Sequence, residues 1–191
     1  LDIVAYGYSS EGYPKCVEDY EGLSDNDEMR KTLQENVTLL QCTTEYPTSY
    51  SEVNIRTIPW MRKTFGLPIG FSDHSLGTIA SIGAVTLGAT VVEKHLTLDK
   101  SMPGPDQSAS LEPSEFVDLV KSIEEVELCL GNEEKVPQPS ELKNMSAARR
   151  SIVAIEDIQS GEKYSKNNIG VKRPGSGVSP MRFWSLLGTE S

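Results

Sequence analysis

The chain has two histidines, His74 in Ser-Asp-His and His95 in Glu-Lys-His, 21 residues apart. Each follows a short apolar run of the kind that forms a buried strand, Ile69-Gly70-Phe71 before the first and Thr90-Val91-Val92 before the second. An apolar segment of helical length lies between them. A strand, a right-handed helical crossover and a second strand make the two strands parallel, so both imidazoles emerge at the carboxyl ends of neighbouring strands. Folds of this kind carry their sites at that end. Strand alternation puts Gly70, Ser72 and His74 on one face, and Val91, Glu93, His95 and Thr97 on the matching face of the second strand. Polar side chains on such a face cost free energy unless a ligand or partner satisfies them. A single strand-end histidine is ordinarily a hydrogen-bonded structural residue, but two that converge beside a serine and a carboxylate point to a metal or an anion site.

The elements that must position these residues are readable from pattern. Residues 1–10 open as a helix, and a short helix is expected around Glu28 to Gln34. Val37–Cys42 (VTLLQC) reads as a strand ending in polar Thr43-Thr44-Glu45-Tyr46-Pro47, which face the same site. Cys42 at that strand end is expected to be a small buried side chain rather than a nucleophile. Residues 53–65 have helical spacing in Ile55, Ile58, Met61 and Phe65, so Pro59 must either start the helix or kink it. Gly66 ends it before the next strand. A helix over about 76–88 fills the interval between the histidine strands. The run 96–111 is far longer than the usual connection of about 2–6 residues, as befits a loop that holds substrate. A helix over Pro113–Leu130 follows, with Gly131 as its stop.

Residues 131–142 are rich in proline and charge and read as a linker. Beyond them Ser151–Ile155 and Ile169–Pro174 read as short strands joined by tight turns. The formal net charge of −10 excludes nucleic acid and an anionic membrane surface as natural partners. Charge is uneven, however: residues 1–36 carry nine acidic and three basic side chains, and residues 141–182 carry eight basic and four acidic. The second stretch is the one suited to an anion. Cys16, Cys42 and Cys129 form no paired framework, which fits reduced thiols in a cytoplasmic protein.

Five blocks, CTTEYP at 42–47, GFSDHSLG at 70–77, EKHLTLDKSMPGPD at 93–106, SLEPSEF at 110–116 and VKRPGSG at 171–177, resemble the sialic acid synthase family in order and spacing. The resemblance covers most of the chain from about Val37 onward. It implies an α/β fold: the C-terminal part of a TIM (β/α)8 barrel in residues 1–130, then the linker, then a small β-rich SAF (antifreeze-like) domain in residues 143–191. A barrel takes about 250 residues and eight βα units, whereas three convincing units are present. Both domains are therefore expected to be truncated, and the chain to be an inactive fragment of a larger synthase.

The activity implied is condensation of phosphoenolpyruvate with an N-acyl hexosamine, N-acetylmannosamine or its 6-phosphate, to give sialic acid and release phosphate. A sister activity on a diacetamido sugar would give legionaminic or pseudaminic acid, and a carbohydrate-binding SAF module is the reading from another class. By resemblance His74 and His95 hold a divalent metal, Mn²⁺ or Mg²⁺, with water and substrate completing its shell. Ser72 meets the phosphate of phosphoenolpyruvate. Thr44 stands where several members carry an asparagine with that role. Tyr46 contacts the sugar, and Asp106 holds hydroxyls of its open chain. Arg173 reaches the N-acyl group across a domain-swapped homodimer. Glu93, on the inward face beside His95, serves as an orienting residue or a base.

Overall fold

The computed structural model describes residues 1–10 and 12–191, which divide into a first unit, Leu1–Asn132, and a second, Glu133–Ser191. The first unit opens with helices α1 (Asp2–Ser9) and α2 (Asp27–Asn36). Asn26 sets the start of α2, its side-chain oxygen accepting from the backbone N–H groups of Glu28 and Met29 at 3.0 and 3.1 Å. Then come β1 (Leu39–Cys42), α3 (Thr57–Phe65), β2 (Ile69–Asp73), α4 (Ile79–Thr86), β3 (Val92–Lys94) and α5 (Pro113–Leu130). The strands form a parallel sheet with β2 in the middle, which makes this unit α/β.

Pro59 is the third residue of α3. There its missing N–H is one that no helical carbonyl would have received, so neither a kink nor a lost hydrogen bond results. Gly66 closes α3 in the left-handed region at φ 67°, its N–H returning to Arg62 O. The helix between the histidine strands is shorter than its apolar run. The two faces of β2 then diverge. Ile69 and Phe71 pack with Ile58, Ala80 and Ala84 into the main core under the helices. Gly70 faces the other way, in register with Leu40, and a Cβ there would lie 2.7 Å from the Val91 carbonyl oxygen. Only glycine permits that approach.

Asp73 ends β2 on the helix side and pairs in register with Lys94 of β3. Their side chains are 0% and 1% exposed, and Lys94 Nζ lies 3.1 Å from Asp73 Oδ2. The other demands of the carboxylate are met by the Ser75 N–H at 2.8 Å and by the Ser75 and Ser81 hydroxyls, each at 2.6 Å. Lys94 also donates to the Ser75 carbonyl. Burial pushes the Lys94 ammonium below the ordinary lysine value, while Asp73 draws it back up.

The first helix of the second unit, α6 (Pro139–Ala148), starts inside residues 131–142 and so makes the last third of that proline-rich stretch helical. Strands β4 (Ser151–Ala154) and β5 (Ile169–Lys172) pair antiparallel, and α7 (Phe183–Leu186) follows. Asn168, 5% exposed, pins the turn before β5 by accepting from the Ser165 N–H at 2.7 Å and donating to Lys163 O at 3.0 Å. Among the described residues no helix is long and apolar enough to cross a membrane.

Removing one half of a buried charge pair strands the other without a counter-charge, at about 3–5 kcal/mol. Lys94→Met should lower the stability of the chain by that amount in urea unfolding. Asp73→Leu combined with Lys94→Met should recover part of the loss. Equal stability of Lys94→Met and the unaltered chain would show that the pair does not hold the strands.

Candidate functional site

The register of β1, β2 and β3 aligns Cys42 with Ser72 and Ser72 with Glu93 in one row. Ser72 Oγ donates to Glu93 Oε1 at 2.6 Å. His74 stands just past this row, its Nδ1 2.7 Å from the Thr43 carbonyl oxygen. A carbonyl can only accept, so Nδ1 carries a proton, and in the neutral ring Nε2 presents a lone pair. That lone pair faces two hydroxyls, Ser72 Oγ and Tyr46 Oη, both at 3.2 Å. Ser72 donates its hydrogen bond to Glu93, which leaves Tyr46 as the donor to Nε2 of the neutral ring.

The Tyr46 ring stacks on both imidazoles, 4.1 Å from His74 and 5.0 Å from His95 between centroids, and the imidazoles are 5.5 Å apart. Thr48, 5% exposed, holds the loop that carries Tyr46 in place. Its N–H donates to His74 O at 2.9 Å and its hydroxyl to Glu45 O at 2.8 Å. Cys42 is exposed, contrary to the expectation of a buried side chain, with its sulfur 3.7 Å from His74 Nε2. An inward residue at the end of β1 faces the site, and the site face is open to solvent.

Asp106, eleven residues after His95, returns to it because the long loop is closed at its base. Leu111 N–H donates to His95 O and Thr97 N–H to Leu111 O, both at 2.9 Å. Asp106 and His95 then line one cavity of about 360 Å³, with Thr97, Gln107 and Ser110. The loop is tied to α5 as well, through Lys100 Nζ to Glu115 at 2.5 Å and the Lys100 N–H to Glu112 at 3.1 Å.

The structure therefore brings His74, Ser72, Glu93 and Tyr46 into direct contact, with His95 stacked on Tyr46 and Asp106 beside it. Thr44 lies exposed on the same loop as Tyr46, outside this hydrogen-bonded group. Arg173 belongs to the second unit, exposed just past β5. Sequence pattern missed Asp73, Lys94, Thr48 and the Thr43 carbonyl. Asp73 and Lys94 had left a signal, being opposite charges one residue before each histidine.

Among the described residues no three of His, Cys, Asp and Glu are grouped to hold a metal. The donor set nevertheless fits a cation that keeps water in its shell. His74 has its Nδ1 pinned on a carbonyl and its Nε2 lone pair turned toward oxygens, the arrangement of a ligand imidazole. Two imidazoles leave the remaining positions to water and substrate oxygen.

Comparison with known proteins places this chain in a defined class. The NeuB family profile matches residues 16–135, and the SAF domain profile matches residues 149–190. The chain belongs to the NeuB family. It is 46% identical over 155 residues to the N,N'-diacetyllegionaminic acid synthase of Campylobacter jejuni, across 81% of this chain and 46% of that protein. It is 40% identical over 160 residues to human N-acetylneuraminate-9-phosphate synthase, across 83% of this chain and 45% of that one. Among solved structures, the N-acetylneuraminic acid synthetase of Leptospira borgpetersenii aligns with a TM-score of 0.55 at 32% identity, over 68% of this chain and 45% of that one. The chain thus spans about half the length of the curated relatives it matches.

The loop tie gives a pH test. The Lys100 ammonium, and then the Glu112 N–H, hold Glu115 below the ordinary glutamate value of 4.5. A carboxyl lowered in the folded state stabilises above its unfolded value, and that stabilisation is lost as pH falls through the folded value. Glu115→Gln should therefore be less stable than the unaltered chain at pH 7, with the gap closing below pH 4.5. Urea unfolding from pH 7 down to pH 3 measures the gap, and one that stays constant would remove the tie from the account.

Proposed function

We propose that this chain supplies the carboxyl-edge part of the active site of a phosphoenolpyruvate-dependent synthase of the sialic acid type. The observation that carries the reading is the contact group of His74, Ser72, Glu93 and Tyr46, with His95 stacked at its side, in a chain of the NeuB family. In the reaction the methylene carbon of phosphoenolpyruvate bonds to the aldehyde carbon of an open-chain N-acyl hexosamine. Water adds at the enol carbon, whose bond to the bridging oxygen breaks, and inorganic phosphate leaves.

Each side chain has a task that its position supports. Thr44 from its exposed loop donates a hydrogen bond to the phosphate of phosphoenolpyruvate, and Ser72 does so when its hydroxyl turns from Glu93 to the bound substrate. Tyr46 lies against the sugar, and Asp106, sharing a cavity with His95, accepts from its hydroxyls. Glu93 orients Ser72 and is the carboxylate beside the reacting carbons. His74 and His95 are the residues that would hold Mn²⁺ or Mg²⁺, which when bound polarises the aldehyde carbonyl. In the intact protein the three-stranded sheet is part of a closed TIM barrel, and Arg173 reaches the N-acyl group of a partner's sugar in a domain-swapped homodimer. A cytoplasmic location suits the reduced thiols and the substrates.

The acceptor sugar has two readings. N-acetylmannosamine, or its 6-phosphate, gives sialic acid. The higher identity to the Campylobacter legionaminic acid synthase than to the human enzyme favours a 2,4-diacetamido sugar instead. Assays of the intact parent protein with each sugar and phosphoenolpyruvate should give phosphate release with one of them; no release with any aldose overturns the proposal. His74→Ala and His95→Ala should each lower metal-dependent turnover by about 100-fold or more, since two ligands leave no redundancy. Unchanged turnover in both would reject the metal assignment.

A further inference from the structure

The second unit holds a cavity of about 760 Å³ that no part of the catalytic reading uses. Its polar wall is formed by Arg149, Arg150, Ser151, Ser176 and Ser179, and its apolar wall by Leu142, Met145 and Pro180. No carboxylate lines it, in a chain whose net charge is −10. Among the described residues neither arginine has an ion-pair partner.

The loop 175–177, which lines the same cavity, adds backbone donors. Gly175 and Gly177 line the cavity with φ of 91° and 139°, a region in which side chains are strained. Among the described residues, the N–H groups of Gly175, Ser176 and Gly177 meet no backbone or side-chain acceptor. Consecutive N–H groups in such a turn form a concavity that attracts anions. The lining thus offers two guanidinium groups, a serine-rich rim and amides that meet no acceptor among the described residues, and no carboxylate.

We infer that this cavity is a binding site for a small organic anion, a carboxylate or phosphoryl group carried on a sugar. The guanidinium groups grip the anion through paired N–H donors. The Leu142, Met145 and Pro180 wall receives the less polar face of the body that bears it. The volume lies in the range of small-molecule sites, about 300–1,000 Å³. The inference does not depend on the proposed synthase activity, because no residue assigned to that site lines the cavity.

The test is calorimetric titration of the full chain with three probes: inorganic phosphate, N-acetylneuraminic acid and neutral N-acetylmannosamine. One or both anions should bind, more weakly as salt is raised, and the neutral sugar, whose proposed contacts Tyr46 and Asp106 lie in the first unit, should leave the amides of Gly175, Ser176 and Gly177 unmoved. Binding of phosphate alone assigns a phosphoryl ligand, and binding of the sugar acid alone assigns a carboxylate. Arg149→Gln with Arg150→Gln should weaken binding at least tenfold, whereas the Lys pair at the same positions keeps part of it. Ser72→Ala, which disables the proposed phosphate contact of the first unit, should leave this binding unchanged. In NMR spectra the shifts should fall on the amides of Gly175, Ser176 and Gly177. Undiminished binding in the Gln pair, loss in Ser72→Ala, shifts confined to residues 1–132, or no anion binding would each overturn the site.

Discussion

The geometry of the candidate site depends on one buried ion pair, Asp73 with Lys94. Taking two charges out of water is costly, and a buried pair is at best a small net gain in stability. Its value here is positional. Parallel strands offer evenly spaced hydrogen bonds that do not by themselves distinguish one register from another two residues away. A two-residue slip of β3 would carry Lys94 away from Asp73, Ser75 O and the carboxylate's serine donors, and leave two buried charges uncompensated. A one-residue slip would turn every side chain to the wrong face. The imidazoles of His74 and His95 follow immediately after these residues, so the pair that fixes the register also fixes their separation.

The two faces of β2 divide the labour. Ile69, Phe71 and Asp73 serve the helix side, as core and as anchor. Gly70, Ser72 and His74 serve the other, in increasing size toward the carboxyl end. Gly70 is bare because Leu40 and Val91 crowd over it from either side. That crowding packs β1 and β3 closely against the central strand, and in the next row Cys42 and Glu93 are exposed on either side of the buried Ser72.

Much of this was legible in the residues. Alternation placed Ser72, Glu93 and the histidines on one face, and the structure has Ser72 hydrogen-bonded to Glu93. Proline at its start and glycine at its end marked α5 at Pro113–Leu130. Other features could not be read locally. That the Thr43 carbonyl fixes the His74 tautomer is a property of a backbone atom, whose partner is known only once β1 and β2 are aligned. Tyr46 is four residues past a strand, and nothing in a pentapeptide says that its ring will cover two imidazoles. Helix α6 was hidden because prolines signal both linkers and helix starts, and Pro139 is the first residue of a helix. Residues 73 and 94 are opposite charges that alternation turns together toward the helices, but that they pair is decided only by the register of β2 and β3.

The same alternation decides where positive charge in the site must come from. Ser72 has one proton, and Glu93 takes it at 2.6 Å. A phosphate drawn to that hydroxyl would stand beside the Glu93 carboxylate, and two anions sharing one hydroxyl repel each other unless a positive charge lies between them. The lysine adjacent to Glu93 cannot provide it, because Lys94 points to the opposite face and is committed to Asp73. What stands on the site face beside Ser72 is the His74 lone pair at 3.2 Å, backed by a carbonyl that holds its proton on the far nitrogen. A neutral imidazole cannot balance an anion by itself, but it can hold a cation that does. The ion pair that locks the sheet thereby keeps the nearest ammonium off the site face, where the neutral form of His74 offers a lone pair.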